Sequence, residues 1–425
     1  MADLTIKPVG AAGNKLILQD QAGGAVLTTA DSGATIANAT LTSPALTSPT
    51  LTGTATAVNL TVSGDLVPST PLSHRNMIIN GAMNVAQRGT QVTGYNSSAI
   101  STCDRFGSST TGIGSLQIDQ ASITDLDGFS NSWKHTYTFP TTSTSTSGYH
   151  YAWYKVEAQD LQRARTSGGA AGTKPMVLSF YVKTSWADTF YTVIDAEDGT
   201  IRRLSFSYTT AANTWKRVVH VLPADTVAQF DNNNGTGLAI NWWLASGSNY
   251  TGGTGVGAGT WNNYTNANQN CVDDPGFSTN GRTWEITGVQ LELGSTATPF
   301  EHRSYADELL RCERYCKIFQ GAEGFYVWTG NGSAGCCYGN FWLPVMPRTS
   351  PTCSISGEMR GSDNFAVDLN DSSVTVSSNV VSGDHQGGRV YITNWNTFPA
   401  TSGYHMWPGD GSGTGSGTMK FEMEL

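Results

Sequence analysis

The chain has 425 residues, of which 13% are charged, with a formal net charge of −9. That length exceeds a single hydrophobic core and predicts two to four domains. The balance of 24 Lys+Arg against 33 Asp+Glu, with no basic cluster, excludes a nucleic-acid footprint, and the absence of a run of about 18 apolar residues excludes a membrane-spanning helix.

The opening, MADLTIKPVG, lacks the cationic and apolar regions of a secretory signal, so the chain is expected to stay in the compartment that makes it. Residues 1–70 are nearly free of aromatics and form a thin repetitive segment. KLILQDQAGGAVLTT (Lys15–Thr29) predicts two short strands around Gly23-Gly24. Next comes ATLTSPALTSPTLTGTAT, in which Leu41, Leu46 and Leu51 recur every five residues. A period of five fits neither a helix nor a strand. One such chain has too little apolar area to offset the backbone entropy of ordering, about 1–2 kcal/mol per residue. Two readings stand: three copies share those leucines along a common axis, or the segment is a flexible Thr/Ser/Pro linker.

Residues 71–302 change character. The strand candidates are SLQID, WKHTYTF, YAWYKVEA, MVLSFYVKT, FYTVIDA, RRLSFSYTT, WKRVVHVL, LAINWWLA and WEITGVQLEL. Several alternate, as in Leu178, Phe180 and Val182 against Val177, Ser179 and Tyr181. Strands of this density joined by Gly/Asn/Ser loops predict a β-sandwich of the jelly-roll kind. In Trp242-Trp243 one ring must point into the core and the other outward.

Residues 303–320 (RSYADELLRCERYCKIFQ) predict a connecting helix. Ser304 is the N-cap with Asp307 reaching back, and Asp307→Arg311 and Glu313→Lys317 are favourable i,i+4 pairs. Tyr305, Leu309, Cys312, Cys316 and Phe319 step by 4, 3, 4, 3, a short heptad seam. About 15 residues of helix are marginal alone, so the seam needs cover, either from its own chain or from identical helices in a trimer. Seven cysteines without a C-x-x-C pair argue against a disulfide framework, and Cys312 and Cys316 read as small buried hydrophobes. Residues 321–425 return to strand character and predict a second, smaller β-domain at the distal tip.

Three stretches carry a family resemblance. RNMIINGAMNVAQRGT (Arg75–Thr90) resembles the opening of the carbohydrate-binding-module-like domain of phage tail fibre proteins, although the usual aromatic of that opening is missing. WEITGVQLELGSTATPFEHRSYADELLRCERY (Trp284–Tyr315) is similar to that domain's last strand and following helix, and TCDRF resembles the family's A-D-R-W/F position. FWLPVMPRTSPTCSISG and MKFEMEL look like its C-terminal part. The resemblance implies a mainly β, homotrimeric virion fibre. It would be assembled in the host cytoplasm, attached to other tail or baseplate proteins through its N-terminal segment, and in contact with the host surface. It supplies neither a ligand nor a catalytic residue.

Sugar binding needs flat aromatic faces flanked by amide and carboxylate hydrogen-bonders. Trp261, Asn262 and Tyr264 in the loop Ser246–Asn270 have that chemistry, as do Trp395, Tyr404, His405, Trp407 and Asp410 near the end. Packing in the core or at a trimer contact is the competing reading for each aromatic. No H-E-x-x-H, G-x-S-x-G or P-loop is present. DAEDG (Asp195–Gly199) reads as a hairpin end and CVDDPG as a turn; Asp273 or Asp274 with loop carbonyls is the one Ca²⁺ site the sequence offers. The leading expectation is a non-enzymatic tail fibre that recognises a host glycan, with no cofactor, no nucleic acid and no membrane insertion. The alternatives are a virion polysaccharide depolymerase and an adaptor that docks another tail protein.

Overall fold

The structure, a computed structural model, describes residues 17–19, 25–30, 33–36, 73–139, 145–166, 172–253, 257–269, 279–320, 337–357, 359–362, 368–371, 375–380, 387–393, 405–408 and 417–425. The chain divides into two compact units, Met1–Val67 and Pro68–Leu425. In the first, β1 (Ile17–Gln19), β2 (Ala25–Ala30) and β3 (Gly33–Ile36) form an antiparallel meander. The strand pair expected around Gly23-Gly24 is β1 and β2. Leu41, Leu46 and Leu51 lie outside the described residues.

The second unit opens with β4 (Gln91–Tyr95), β5 (Ser98–Ile100), β6 (Phe106–Thr111), β7 (Ser115–Ser122), β8 (Asn131–Phe139), β9 (Tyr149–Glu157) and β10 (Met176–Thr184). It continues with β11 (Thr189–Ala196), β12 (Arg202–Thr209), β13 (Lys216–Leu222), β14 (Thr236–Ser246), β15 (Asn262–Asn263) and β16 (Thr283–Leu293). Two antiparallel sheets result, ordered β13-β10-β16-β8-β7-β4 and β15-β12-β11-β14-β9-β6-β5. Their inner faces form one core, which is the expected β-sandwich. Leu178, Phe180 and Val182 of the first sheet meet Ile240 and Trp242 of the second, with Phe180 edge-on to Trp242 at 5.8 Å. Trp133, Trp242 and Trp284 are fully buried. Burying a large apolar side chain contributes about 1.5–3 kcal/mol, and the apolar strand candidates correspond to β7–β14 and β16, whereas the short strands β4, β5, β6 and β15 were not among them.

Three buried histidines sit inside this apolar layer. His150 bridges His135 and the Tyr137 hydroxyl at 3.1 and 2.7 Å, and His220 stacks on Phe206 at 4.5 Å. Burial pushes His135 and His220 down to about 3, and His150 well below its ordinary value.

The segment Asn76–Gly89 is fixed by side chains together with a few backbone bonds, Met77 donating to the Leu291 carbonyl at 2.8 Å and Val289 to the Gly81 carbonyl at 2.9 Å. Asn76 Oδ1 accepts the Ile78 and Leu291 amides and its Nδ2 donates to the Val289 carbonyl, at 2.9–3.1 Å. Asn80, at φ +61°, accepts from the Val85 amide and donates to the Val85 and Asp104 carbonyls. At Gly81 a Cβ would fall 2.2 Å from the Val289 oxygen, so only glycine fits. The Asn…Asn-Gly spacing of the opening motif is therefore a requirement of geometry.

Helix α1 (Tyr305–Glu313) has the expected N-cap, Ser304 Oγ accepting the Asp307 amide at 3.2 Å, while the Asp307 carboxylate pairs with Arg311. The helix stops at Glu313, shorter than the sequence predicts. Cys316–Gln320 is instead a strand, β17, paired with Thr418–Glu422. The 4, 3, 4, 3 spacing ran across this boundary because strand pairing with a segment 100 residues away overrides local helix preference. Two of the five seam residues, Cys312 and Cys316, are corrected as trimer contacts. Cys312 and Cys316 are fully buried by their own chain, Cys312 with Tyr315 against Ile79 and Val85. Leu309 packs on the same cluster and Phe319 lies edge-on to Phe421, whereas Tyr305 is 58% exposed.

Beyond β17 come β18 (Cys337–Trp342), β19 (Thr352–Ser356), β20 (Met359–Ser362), β21 (Asp368–Asp371), β22 (Thr375–Val380), β23 (Gly387–Thr393), β24 (His405–Pro408) and β25 (Thr418–Glu422). They form three-stranded sheets ordered β17-β25-β19, β18-β23-β22 and β21-β20-β24.

A buried charge network ties β25 and the residues after it to the sandwich. Arg105, 1% exposed, pairs with Glu424, donates to the Lys155 carbonyl at 2.6 Å and lies 3.4 Å above the Tyr315 ring. Arg88 pairs with Asp104, Glu422 and Glu424, and Arg314 grips Glu157 through two 2.8 Å bonds. Losing one partner of a buried pair strands the other, at a cost of about 3–5 kcal/mol. Arg105→Met should therefore lower the urea-unfolding free energy by about that amount; a loss under about 1 kcal/mol would remove Arg105 from its structural role.

The histidines predict acid sensitivity. Their folded-state values are depressed, so below about 6.5 the unfolded chain takes up protons that the folded chain refuses, and stability falls as pH drops toward 3. Asp104, pushed up to about 6 by burial against the pull of Arg88, works in the opposite sense. The clean readout is a difference. His220→Phe should flatten stability against pH below 6.5 by up to about 1.4 kcal/mol per pH unit, measured by urea titration at several pH values. An unchanged slope would contradict a buried neutral His220.

Candidate functional site

Strand β9 alternates cleanly. His150, Ala152, Tyr154 and Val156 point into the core, and Tyr149, Tyr151, Trp153 and Lys155 point out across the seven-stranded sheet. Register aligns the neighbours on that outer face into rungs. One runs Arg203, Asp195, Ala239, Lys155; the next carries Asn241 beside Trp153; the next carries Trp243 beside Tyr151. Together with Tyr250, Tyr264 and Gln269 from the Ser246–Asn270 loop they enclose a groove of about 580 Å³.

Its two ends differ. At one, Trp243 stacks on Tyr151 at 4.9 Å, with Tyr149 and Tyr250 packed around them. These rings pack on one another, and the buried Trp243 indole N–H has no hydrogen-bond partner among the described residues. In the middle, Trp153 lies across Gly107 of β6, where a Cβ would fall 2.1 Å from the indole Cζ2. Glycine lets the ring lie flat on the backbone, with one face against the sheet and the other toward the groove.

The charged side chains fall into two groups. Arg203 grips Asp195 through two bonds of 2.6 and 2.7 Å, donates to the Thr265 carbonyl at 2.9 Å and lies 4.1 Å from the centre of the Tyr264 ring. It holds the loop down. Burial pushes the Asp195 carboxyl up while Arg203 pulls it back. Lys155, Glu197 and Asn241 are different: none has a side-chain hydrogen bond or ion pair to another described residue. Burial pushes the Glu197 carboxyl up, and Lys155 counters in part. Such a set of ring face, amide, carboxyl and ammonium suits a polyhydroxylated ligand.

Of the candidates from sequence, Tyr264 lines the groove. Trp261 does not: it packs on the core and donates its indole N–H to the Pro223 carbonyl at 2.8 Å. Asn262 pairs with Arg203 through the β15–β12 backbone, and its amide donates to the Thr260 carbonyl, away from the groove. His405 and Trp407 lie in β24, opposite Ser362 and Arg360. Trp395, Tyr404, Asp410, Asp273 and Asp274 lie outside the described residues. Of Trp242-Trp243, the first is core and the second floors the groove, as alternation requires.

Sequence reading missed Tyr149, Tyr151, Trp153, Lys155, Asn241, Arg203, Asp195 and Glu197 as groove residues. The available signal was three aromatics at i, i+2, i+4 in YHYAWYKVE, on the face opposite the apolar one. A second cleft, about 680 Å³ between the Gln87–Thr90 turn and β19 and β25, has no aromatic lining. Among the described residues no His/Cys/Asp/Glu group is suited to a metal, and no helix is long and apolar enough to cross a membrane.

No family model and no curated protein matches the chain. Among solved structures, it is similar to the enzymatically active domain of tailspike protein 4 of bacteriophage CBA120, at 12% identity over 52% of this chain and 21% of that one, with a TM-score of 0.26. It is similar to TmCBM61 in complex with β-1,4-galactotriose, at 9% identity over 52% and 99% of the two chains, with a TM-score of 0.22. A family 30 carbohydrate binding module gives 12% identity over 53% and 96%, with a TM-score of 0.24. The tailspike match spans about a fifth of that protein's length. Likenesses this weak decide nothing about function.

Proposed function

We propose that the chain is a tail fibre protein of a phage virion, assembled in the host cytoplasm, whose β-sandwich binds a host-surface glycan in the groove around Trp153. One observation carries the binding reading. Trp153 is laid flat on Gly107, and the polar side chains beside it, Asn241 and Glu197, have no partner among the described residues. Half-buried beside a flat aromatic face and not engaged by the fold, this amide and carboxyl are free to exchange water for the hydroxyls of a ligand. Pyranose rings offer an apolar C–H face for the indole and hydroxyls for the amide and carboxyl. The fibre reading draws its support from the sequence landmarks at Arg75–Thr90, Thr102–Phe106 and Trp284–Tyr315.

A depolymerase would need two working carboxylates across the sugar. Asp195 and Glu197 both reach the groove, but Asp195 is held in both its oxygens by Arg203, leaving Glu197 alone. Binding without cleavage is the better fit. The adaptor reading, in which the distal strands dock another tail protein, gains no specific support from the groove.

Trimer formation is proposed through the N-terminal leucine repeat, without Cys312 and Cys316, which their own chain buries. Trp153→Ala should weaken binding of host-surface polysaccharide about tenfold or more, about 1.4 kcal/mol, with an unchanged melting midpoint. Unaltered affinity, or reducing ends released with time by the unmodified protein, would overturn this reading of the groove. Light scattering should give a mass about three times the 45.2 kDa of one chain; a single-chain mass at micromolar concentration would contradict the trimer.

A further inference from the structure

Resting on that reading of the groove, we infer that the sugar unit it takes carries one carboxylate, as a hexuronic acid does, and that Lys155 receives it. Four charged side chains line the groove: Lys155, Asp195, Glu197 and Arg203. Arg203 and Asp195 neutralise each other at 2.6 and 2.7 Å and are occupied in holding the loop. Lys155 is half-buried and ion-paired to no described residue; its ammonium stands 5.4 Å from the centre of the Trp153 ring. A pyranose stacked on Trp153 thus arrives beside that ammonium.

The ligand then decides what becomes of the charge. A neutral sugar strips water from Lys155 and offers only weak acceptors in return, which leaves a poorly compensated cation. A carboxylate on the ring offers a charge-assisted bond, roughly twice as strong as a neutral one. Glu197 sets the limit on how much negative charge is welcome. It lines the same groove as Lys155 without forming an ion pair with it. A dianionic phosphate would meet Glu197 at close range and lose much of what Lys155 gives; a monoanion does so less. Glu197 and Asn241 are left to take hydroxyls. Ala239, between Asp195 and Lys155 on the same rung, leaves room for the substituent.

The experiment uses the full chain and two matched pairs of probes: methyl β-D-glucuronide against methyl β-D-glucoside, and methyl α-D-galacturonide against methyl α-D-galactoside. Binding is followed by saturation-transfer NMR titration at pH 7. In at least one pair the uronide should bind about fivefold tighter or more than its neutral parent. In Lys155→Gln, checked for an unchanged melting midpoint, that ratio should fall to about one. Equal binding within both pairs, or a preference that survives Lys155→Gln, overturns the carboxylate assignment and leaves the glycan groove standing. Binding of none of the four overturns both.

Discussion

The buried Arg105 guanidinium is the constraint on which the rest depends. It sits on the Tyr315 ring just past α1, pairs with Glu424 beyond the last strand, and bonds the carbonyl of Lys155 in β9. One side chain thereby fixes three segments that are far apart in sequence. A guanidinium suits this place because it stays charged when buried, stacks on an aromatic face and spreads its donors in a plane. The strand it steadies is the one that carries Trp153 and Lys155, so the joint and the groove share a support. The same logic explains the opening motif, where Asn76 and Asn80 add side-chain bonds to the backbone bonds that Met77 and Gly81 make with β16.

The charges in this molecule sort by whether they are answered from within. At the joint, Arg88, Arg105, Arg303 and Arg314 are each paired with buried carboxylates or carbonyls. In the groove Arg203 and Asp195 follow that pattern, and Lys155, Glu197 and Asn241 depart from it. The charged groups at the joint are paired, although single buried atoms such as Arg105 Nε and His220 Nε2 have no hydrogen-bond partner among the described residues.

Much of the fold was legible in the sequence. The sandwich followed from alternation in strands such as Met176–Thr184, because burial on one face is a strong and local signal. The Ser304 cap was legible for the same reason. The end of α1 was not: Tyr315 turns to cover Arg105 and Cys316–Gln320 joins a strand from the far end of the unit, and neither partner is visible from local spacing. The groove was half legible. Tyr264 stood out as a loop aromatic, but Trp261 had the same look and went to the core through its bond to the Pro223 carbonyl. Trp153 was read only as a strand residue, since its role depends on Gly107, a neighbour that only the β6–β9 register reveals.

The claim that the groove is the glycan site is tested most directly by ¹⁹F NMR of the full chain labelled with 5-fluorotryptophan, titrated with the host-surface polysaccharide and assigned through single Trp→Phe variants. The account predicts that the Trp153 resonance moves with saturation while the core residues Trp133, Trp242 and Trp284 stay still. Shifts confined to tryptophans outside the groove, such as the exposed Trp342, with Trp153 unmoved, would contradict it.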